Sequence, residues 1–161
     1  MTARAPQLEL PIRRPKALPR WCFVRLVREP GTEIQPPERI RGPGDVQRLL
    51  APRVHLLETE AFYVVCLGSQ SQLRAIEELT RGILNSSLVH PREVYRSAIL
   101  AGAAGIILVH NHPSGDPTPS ADDRAVTRQL VDAGRLLDVP CYDHVIIAGD
   151  RYVSFAEAGL L

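Results

Sequence analysis

Cysteine is scarce in this sequence, and its spacing argues against two kinds of cysteine site. The three residues, Cys22, Cys66 and Cys141, lie far apart in apolar surroundings. An odd number at such distances is untypical of a disulfide framework and favours buried, reduced thiols. No C-x-x-C pair is present, although zinc deaminases combine such a pair with H-x-E. The H-E-x-x-H pattern of helical zinc proteases is also absent, so neither metal chemistry is indicated.

Long apolar runs are missing as well. The longest nearly continuous run covers the twelve residues 98–109 and includes two glycines. A transmembrane helix needs roughly 20 apolar residues, so this run is too short to cross a bilayer. The N-terminal residues hold no apolar segment of the signal-peptide type. The sequence therefore predicts a cytoplasmic protein with no membrane partner.

Charge is nearly balanced overall, with a net charge of +1, but it is unevenly distributed. Residues 1–53 hold eleven Lys and Arg against five Asp and Glu, a difference of +6. Residues 54–161 hold eight against thirteen, a difference of −5. The basic N-terminal third could contact nucleic acid, or it could be a solvated tail that docks onto the acidic part of the same chain.

Composition and the positions of proline and glycine predict that the chain has three parts. Apolar residues make up 45% and charged residues 23%, as is usual for a soluble globular protein with one core. Residues 1–19 hold four of the fourteen prolines and no periodicity, which predicts a flexible, basic, Pro-rich arm. Residues 20–53 form a leader with a strand and a short helix. Residues 54–161 form the main domain.

The order of elements predicts an α/β fold in which helices flank a mixed β-sheet. Strands are expected at 20–28, 60–67, 73–81, 105–109, 143–148 and 152–154, and helices at 45–50, 92–101 and 120–137. Composition at 73–81 favours a helix, but its partial alternation and the turn before it favour a strand that pairs with the preceding one. We predict the strand.

The densest set of chemistry-bearing side chains follows the apolar run at 105–109, which is typical of a buried strand. Residues two apart in a strand share a face, so His110 and His112 can aim their imidazoles at one point while Asn111 faces away. A loop with three prolines then leads to the next helix.

That helix supplies a carboxylate. Ser120 is a good N-cap, which puts Asp123 in the first helical turn. Two neutral imidazoles and one carboxylate are a usual Zn²⁺ ligand set when one position is left for water. The sequence predicts His110, His112 and Asp123 as zinc ligands.

The spacing H-x-H-x7-S-x2-D, carried by His110, His112, Ser120 and Asp123, resembles the JAMM motif of the JAB/MPN metalloprotease superfamily. The longer sequence string HNHPSG, at residues 110–115, resembles the one found in the bacterial RadC branch of that superfamily. The likeness runs from about residue 60 to the C-terminus and takes in the strings PREV and DHVII. It implies a sheet flanked by helices, in a layout like that of cytidine deaminases, and zinc-dependent peptidase or isopeptidase chemistry. Many RadC relatives carry a helix-hairpin-helix DNA-binding module, and none is visible upstream here.

The resemblance also implies roles for residues outside the ligand set. JAMM proteases take their general base from an upstream glutamate. Glu60 fits the family's E-x-F pattern better than Glu58 does. Glu60 is therefore expected to take a proton from water and pass it to the leaving group. Ser120 matches the motif serine, which helps to stabilise the tetrahedral intermediate. Asp143 and His144 are expected either to support the zinc ligands without binding the metal themselves or to pack within the fold.

Two other functions stay open at this level. RadC relatives carry a DNA-repair label, so the chain could be a DNA-associated scaffold whose metal is structural or vestigial. A metal-dependent nuclease is a third hypothesis. The sequence names neither the peptide or isopeptide substrate nor the oligomeric state.

Overall fold

One five-stranded mixed sheet organises the molecule. The computed structural model describes residues 39–82 and 89–161. In chain order the elements are α1 (Pro43–Val54), β1 (Ala61–Leu67), β2 (Leu73–Arg81), α2 (Pro91–Leu100), β3 (Gly105–Asn111), α3 (Ala121–Leu137), β4 (Cys141–Ala148) and β5 (Arg151–Ser154). The sheet order is β2-β1-β3-β4-β5, with β3 and β4 parallel and the other neighbours antiparallel. The predicted α/β class and the strand at 73–81 are confirmed.

The sheet is covered on both faces, which explains why β1 and β3 read as continuous apolar runs. All seven residues of each of these strands are buried. Along β1, Phe62 and Val64 pack into the cluster that includes α2 and α3. Tyr63 and Val65 pack into the cluster on the opposite face, which includes α1. The described residues thus form three layers, with the sheet in the middle.

One element differs from its prediction in a way that shapes the site. The apolar run predicts a strand that ends at Val109, but β3 continues through His110 and Asn111. Both residues keep partners on β4, where His110 pairs with Ile146 and Asn111 with Ile147. The first histidine is therefore held in the sheet itself and not in the loop.

The predicted arm, the strand at 20–28 and Cys22 lie outside the described residues. Burial raises the pKa of Cys66 to about 11 and that of Cys141 to about 12, so both of these free thiols stay protonated. The longest helix described is α3, with 17 residues. No described helix combines the length and the apolar character that a bilayer crossing requires.

Candidate metal centre

The end of β3 and the start of α3 bring His110, His112 and Asp123 together. One ligand atom from each lies within 4.8 Å of the other two. His110 Nε2 is 3.2 Å from Asp123 Oδ1, and His112 Nε2 is 3.6 Å from Asp123 Oδ2. The two Nε2 atoms are 2.9 Å apart. These three predicted side chains therefore converge with the atoms that bind metals turned towards one another.

The loop after β3 fixes the direction of His112. Its Nδ1 lies 2.7 Å from the backbone carbonyl of Asp116, which can only accept, so Nδ1 carries a proton and donates it. Gly115 makes the tight return possible with a φ of +81°, a region that favours glycine. With Nδ1 engaged in this way, Nε2 is the nitrogen that faces Asp123.

Asp123 is held by a capping box at the start of α3. Asp123 N donates to Ser120 Oγ at 3.0 Å, and Asp123 Oδ2 accepts from Ser120 N and Ser120 Oγ, each at 2.7 Å. Burial alone raises the pKa of Asp123, but its contacts with His110 and His112 and the hydrogen bond from Ser120 outweigh it and hold the pKa well below its usual range. Asp123 is therefore an anion whose Oδ1 is turned towards the histidines.

We expect zinc affinity to weaken as the pH falls through the pKa of His112. The hydrogen bond with Asp123 raises that pKa above the ordinary 6.5, so below pH 6.5 the metal-free side chain carries a proton that zinc must displace. One displaced proton weakens affinity about tenfold per pH unit. Competition with a chromophoric chelator between about pH 5 and about pH 8 measures the slope. An affinity that stays constant over this range would contradict the expectation.

Ser120 lies where the motif predicts, and its hydroxyl forms hydrogen bonds with Asp123. That hydroxyl donates its proton to Asp123 Oδ2 and accepts from Asp123 N. The side chain is exposed, so a substrate can reach it. Its part in stabilising an oxyanion stays a prediction.

Glu60 lies directly before β1, on the same side of the sheet as the histidines. Phe62 is the β1 partner of His110, and two further steps of this antiparallel register bring Glu60 opposite His112. The negative charge of Glu60 contributes to the raised pKa of His112. The carboxylate is half-buried. Its role as general base stays a prediction.

Asn111 clamps the backbone on either side of Glu60. The sequence predicts only that Asn111 faces away from the point where the two histidines meet. Its Oδ1 accepts from Ala61 N at 2.8 Å, and its Nδ2 donates to the Thr59 carbonyl at 3.1 Å. The residue between the two histidines therefore ties the backbone around Glu60 to the end of β3.

Replacing Asn111 by alanine is expected to lower the free energy of unfolding by about 1–3 kcal/mol, the cost of leaving the Ala61 N–H and the Thr59 carbonyl without their partner. Urea unfolding of the metal-free protein measures the change. Ser114→Ala is the matched control, since Ser114 is an exposed residue of the following loop. Equal stabilities for the two variants would contradict the clamp.

His144 contacts Nδ1 of His110, the ring nitrogen that does not face Asp123. Its Nε2 is 2.8 Å from His110 Nδ1, and its Nδ1 is 2.6 Å from Thr127 Oγ1. Asp143 points elsewhere: it accepts from Ser154 Oγ at 2.6 Å and from Ala156 N at 3.0 Å, which ties β4 to the end of β5 and to the turn after it. Of the predicted pair, His144 therefore contacts a predicted zinc ligand, and Asp143 holds neighbouring elements together.

The two other described histidines have structural partners. His55 Nε2 donates to the Gly149 carbonyl at 2.8 Å, and His90 Nδ1 accepts from Arg92 N at 3.1 Å as the N-cap of α2.

Comparison with family models decides the family. The model described as "RadC-like JAB domain" matches residues 40–160, three-quarters of the chain. The chain belongs to the RadC-like JAB domain family. The family resemblance predicted from the HNHPSG wording is confirmed, and the His-His-Asp cluster lies inside the matched region.

Several relatives share this RadC-like domain. UPF0758 protein STH371 of Symbiobacterium thermophilum is 48% identical over 119 residues, which cover 74% of this chain and 51% of the relative. A UPF0758 protein of Moorella thermoacetica is 49% identical over 122 residues, 76% of this chain and 53% of the relative. UPF0758 protein Mbar_A2303 of Methanosarcina barkeri is 40% identical over 141 residues, 87% and 62%. The chain thus spans between half and two-thirds of the length of these relatives.

Thr127 is the site residue that sequence reasoning missed. It lies four residues after Asp123, one helical turn further along the same face of α3. The spacing was available in the sequence, but a lone threonine inside a helix carries no chemical signal until a histidine is placed against it.

Proposed function

We propose that this chain is a zinc-dependent metallohydrolase that cuts peptide or isopeptide bonds. His110, His112 and Asp123 bind the metal. Glu60 transfers a proton from the attacking water to the leaving group, and Ser120 stabilises the negative charge that develops on the substrate carbonyl oxygen. The observation that carries the proposal is the convergence of three ligand atoms within 4.8 Å. Two imidazole nitrogens and one carboxylate oxygen suit Zn²⁺ and leave a coordination position for water. A structural zinc would normally have four protein ligands, so a three-ligand set favours catalysis.

When bound, zinc supplies a water molecule whose pKa is lowered to about 7 and polarises the substrate carbonyl. The Glu60 carboxylate accepts a proton and returns it to the nitrogen of the leaving group. Ser120 donates its hydroxyl proton to the charge that develops on the carbonyl oxygen. To do so it releases Asp123 Oδ2, which the Ser120 backbone N–H continues to hold at 2.7 Å.

A cleft of about 380 Å³ lies beside His112. Its lining includes Pro113 from the loop after β3, Leu57 after α1, and Gly149 and Asp150 from the turn after β4. Of the residues assigned to the metal centre, only His112 borders this cleft.

A substrate screen tests the proposal. Zinc-loaded protein is incubated with peptide and isopeptide-linked libraries, and cleavage products are identified by mass spectrometry. We expect cleavage that stops on zinc removal by a chelator and returns when zinc is added back. Cleavage that survives complete zinc removal, or zinc-loaded protein that cuts no member of either library, would contradict it.

A DNA-associated role is the second candidate, favoured by the charge of +6 on residues 1–53. Phosphate contacts of this kind lose affinity as salt concentration rises. Full-length protein should then bind duplex DNA with a steep salt dependence, and a variant lacking residues 1–19 should bind less steeply. Duplex cleavage that His112→Ala abolishes would point instead to a nuclease.

A further inference from the structure

A chain of three hydrogen bonds runs from α3 through β4 to the metal centre. Thr127 Oγ1 lies 2.5 Å from the Asp123 carbonyl and 2.6 Å from His144 Nδ1. His144 Nε2 lies 2.8 Å from His110 Nδ1. His110 Nε2 then faces Asp123 and His112. Both ring nitrogens of His144 and the Nδ1 of His110 therefore lie within hydrogen-bond distance of a partner.

The first contact fixes the direction of the others. A backbone carbonyl can only accept, so the Thr127 hydroxyl is the donor to Asp123. The same hydroxyl has no second proton, so it accepts from His144 Nδ1. His144 Nε2 is then unprotonated and accepts from His110 Nδ1. A neutral imidazole holds one proton, so His110 Nε2 keeps its lone pair.

The opposite direction is unfavourable. It would turn the Thr127 proton towards His144 and leave two oxygen acceptors 2.5 Å apart, with no proton between them. It would also put a proton on His110 Nε2, where a metal must bind.

We propose that Thr127 is a positioning residue that sets the tautomer of His110 through His144, so that the Nε2 lone pair of His110 faces the metal centre. This inference rests on the proposed zinc site. A second ring partner that fixes the tautomer is a general feature of metal-binding histidines. In this protein α3 carries both residues that act on the site. It holds the ligand Asp123, and one turn later it holds Thr127, whose hydroxyl determines which nitrogen of His110 carries the proton.

The surroundings leave few other partners for the relay. His144 is fully buried, and its ring lies 5.6 Å from that of Phe62 and 4.8 Å from that of Phe155. Thr127 is 1% exposed. Without the Thr127 hydroxyl, a proton on His144 Nδ1 would face a methyl group.

Thr127→Val is the direct test, because valine keeps the shape and removes the hydroxyl. We expect His144 to move its proton to Nε2 and donate it to His110 Nδ1, which puts the His110 proton on Nε2. Zinc affinity should fall about 10- to 100-fold, the usual effect of removing an outer partner of a ligand. Thr127→Ser keeps the hydroxyl and should restore the wild-type tautomer and affinity.

Long-range ¹H–¹⁵N correlation spectra of the histidine side chains, recorded on metal-free protein at mildly alkaline pH, report which ring nitrogen carries the proton. Wild type and Thr127→Ser should show Nδ1–H for both His110 and His144, and Thr127→Val should not. A proton on His110 Nε2 in wild type would overturn the inference. So would a Thr127→Val spectrum like that of wild type, or a Thr127→Ser spectrum like that of Thr127→Val, which would indicate packing as the cause.

The two readouts separate this inference from the proposed function. Tautomers are read without metal, whereas affinity is read by titration with zinc alone. If no form of the protein binds zinc while the tautomers follow the hydroxyl, the hydrolase proposal fails and the relay stands. If wild type binds zinc and the tautomers ignore the hydroxyl, the relay fails and the hydrolase proposal stands.

Discussion

Glu60→Gln is expected to reduce hydrolysis by about 10²- to 10⁴-fold, the usual contribution of a positioned general acid–base group. Glutamine keeps the size and polarity of the side chain but cannot accept the proton. The carboxylate is not among the three side chains that converge as ligands, so zinc content should be unchanged. Steady-state rates on a substrate found by the library screen, together with metal content, measure both effects.

Glu58→Gln is the matched control for this prediction. Glu58 lies two residues upstream and is exposed. The Asn111 clamp holds Thr59 and Ala61, so it fixes the backbone around Glu60. Normal activity in Glu58→Gln beside a loss in Glu60→Gln would support Glu60 as the base. A loss confined to Glu58→Gln would transfer the role to Glu58.

Asp123→Asn is expected to weaken zinc binding more than the about 10- to 100-fold that follows loss of an outer partner. The change removes the negative ligand from a set of three, while the amide oxygen of asparagine can still accept the hydrogen bond from Ser120 N at the start of α3. The metal-free variant gives a second readout. The hydrogen bond with Asp123 is the largest cause of the raised pKa of His112, so that pKa should fall.

Asp122→Asn serves as the control, because Asp122 is an exposed carboxylate in the same helical turn. It should leave zinc affinity and the pKa of His112 unchanged. Zinc titrations and NMR titrations of His112 compare the two variants. Equal zinc affinity in Asp123→Asn and wild type would remove Asp123 from the ligand set.

The sequence predicted the elements well, and it predicted that His110, His112 and Asp123 come together, because both depend on short-range patterns. Alternation and apolar runs identified each strand of the sheet. Strand spacing paired His110 with His112, and the S-x-x-D pattern placed Asp123 in a capping box that the structure contains. The hardest element, the strand at 73–81, needed the preceding turn as well as its own composition.

The residues that hold the site in place could not be read from sequence, because their partners are distant along the chain. Asn111 bonds to Thr59 and Ala61 some fifty positions upstream. Thr127 contacts His144, which comes from another strand. The register of β1 on β3 and the packing of α3 on the sheet create these contacts. No local pattern encodes either of them.

Metal content is the measurement that tests the central claim most directly. Wild type, His112→Ala and Glu60→Gln are purified without chelators and analysed by mass spectrometry for bound metals. The account predicts about one zinc per chain for wild type and for Glu60→Gln, and a nearly empty site for His112→Ala. Wild-type protein that binds no zinc even when zinc is supplied in excess would contradict it, and the DNA-associated role would then be the leading hypothesis.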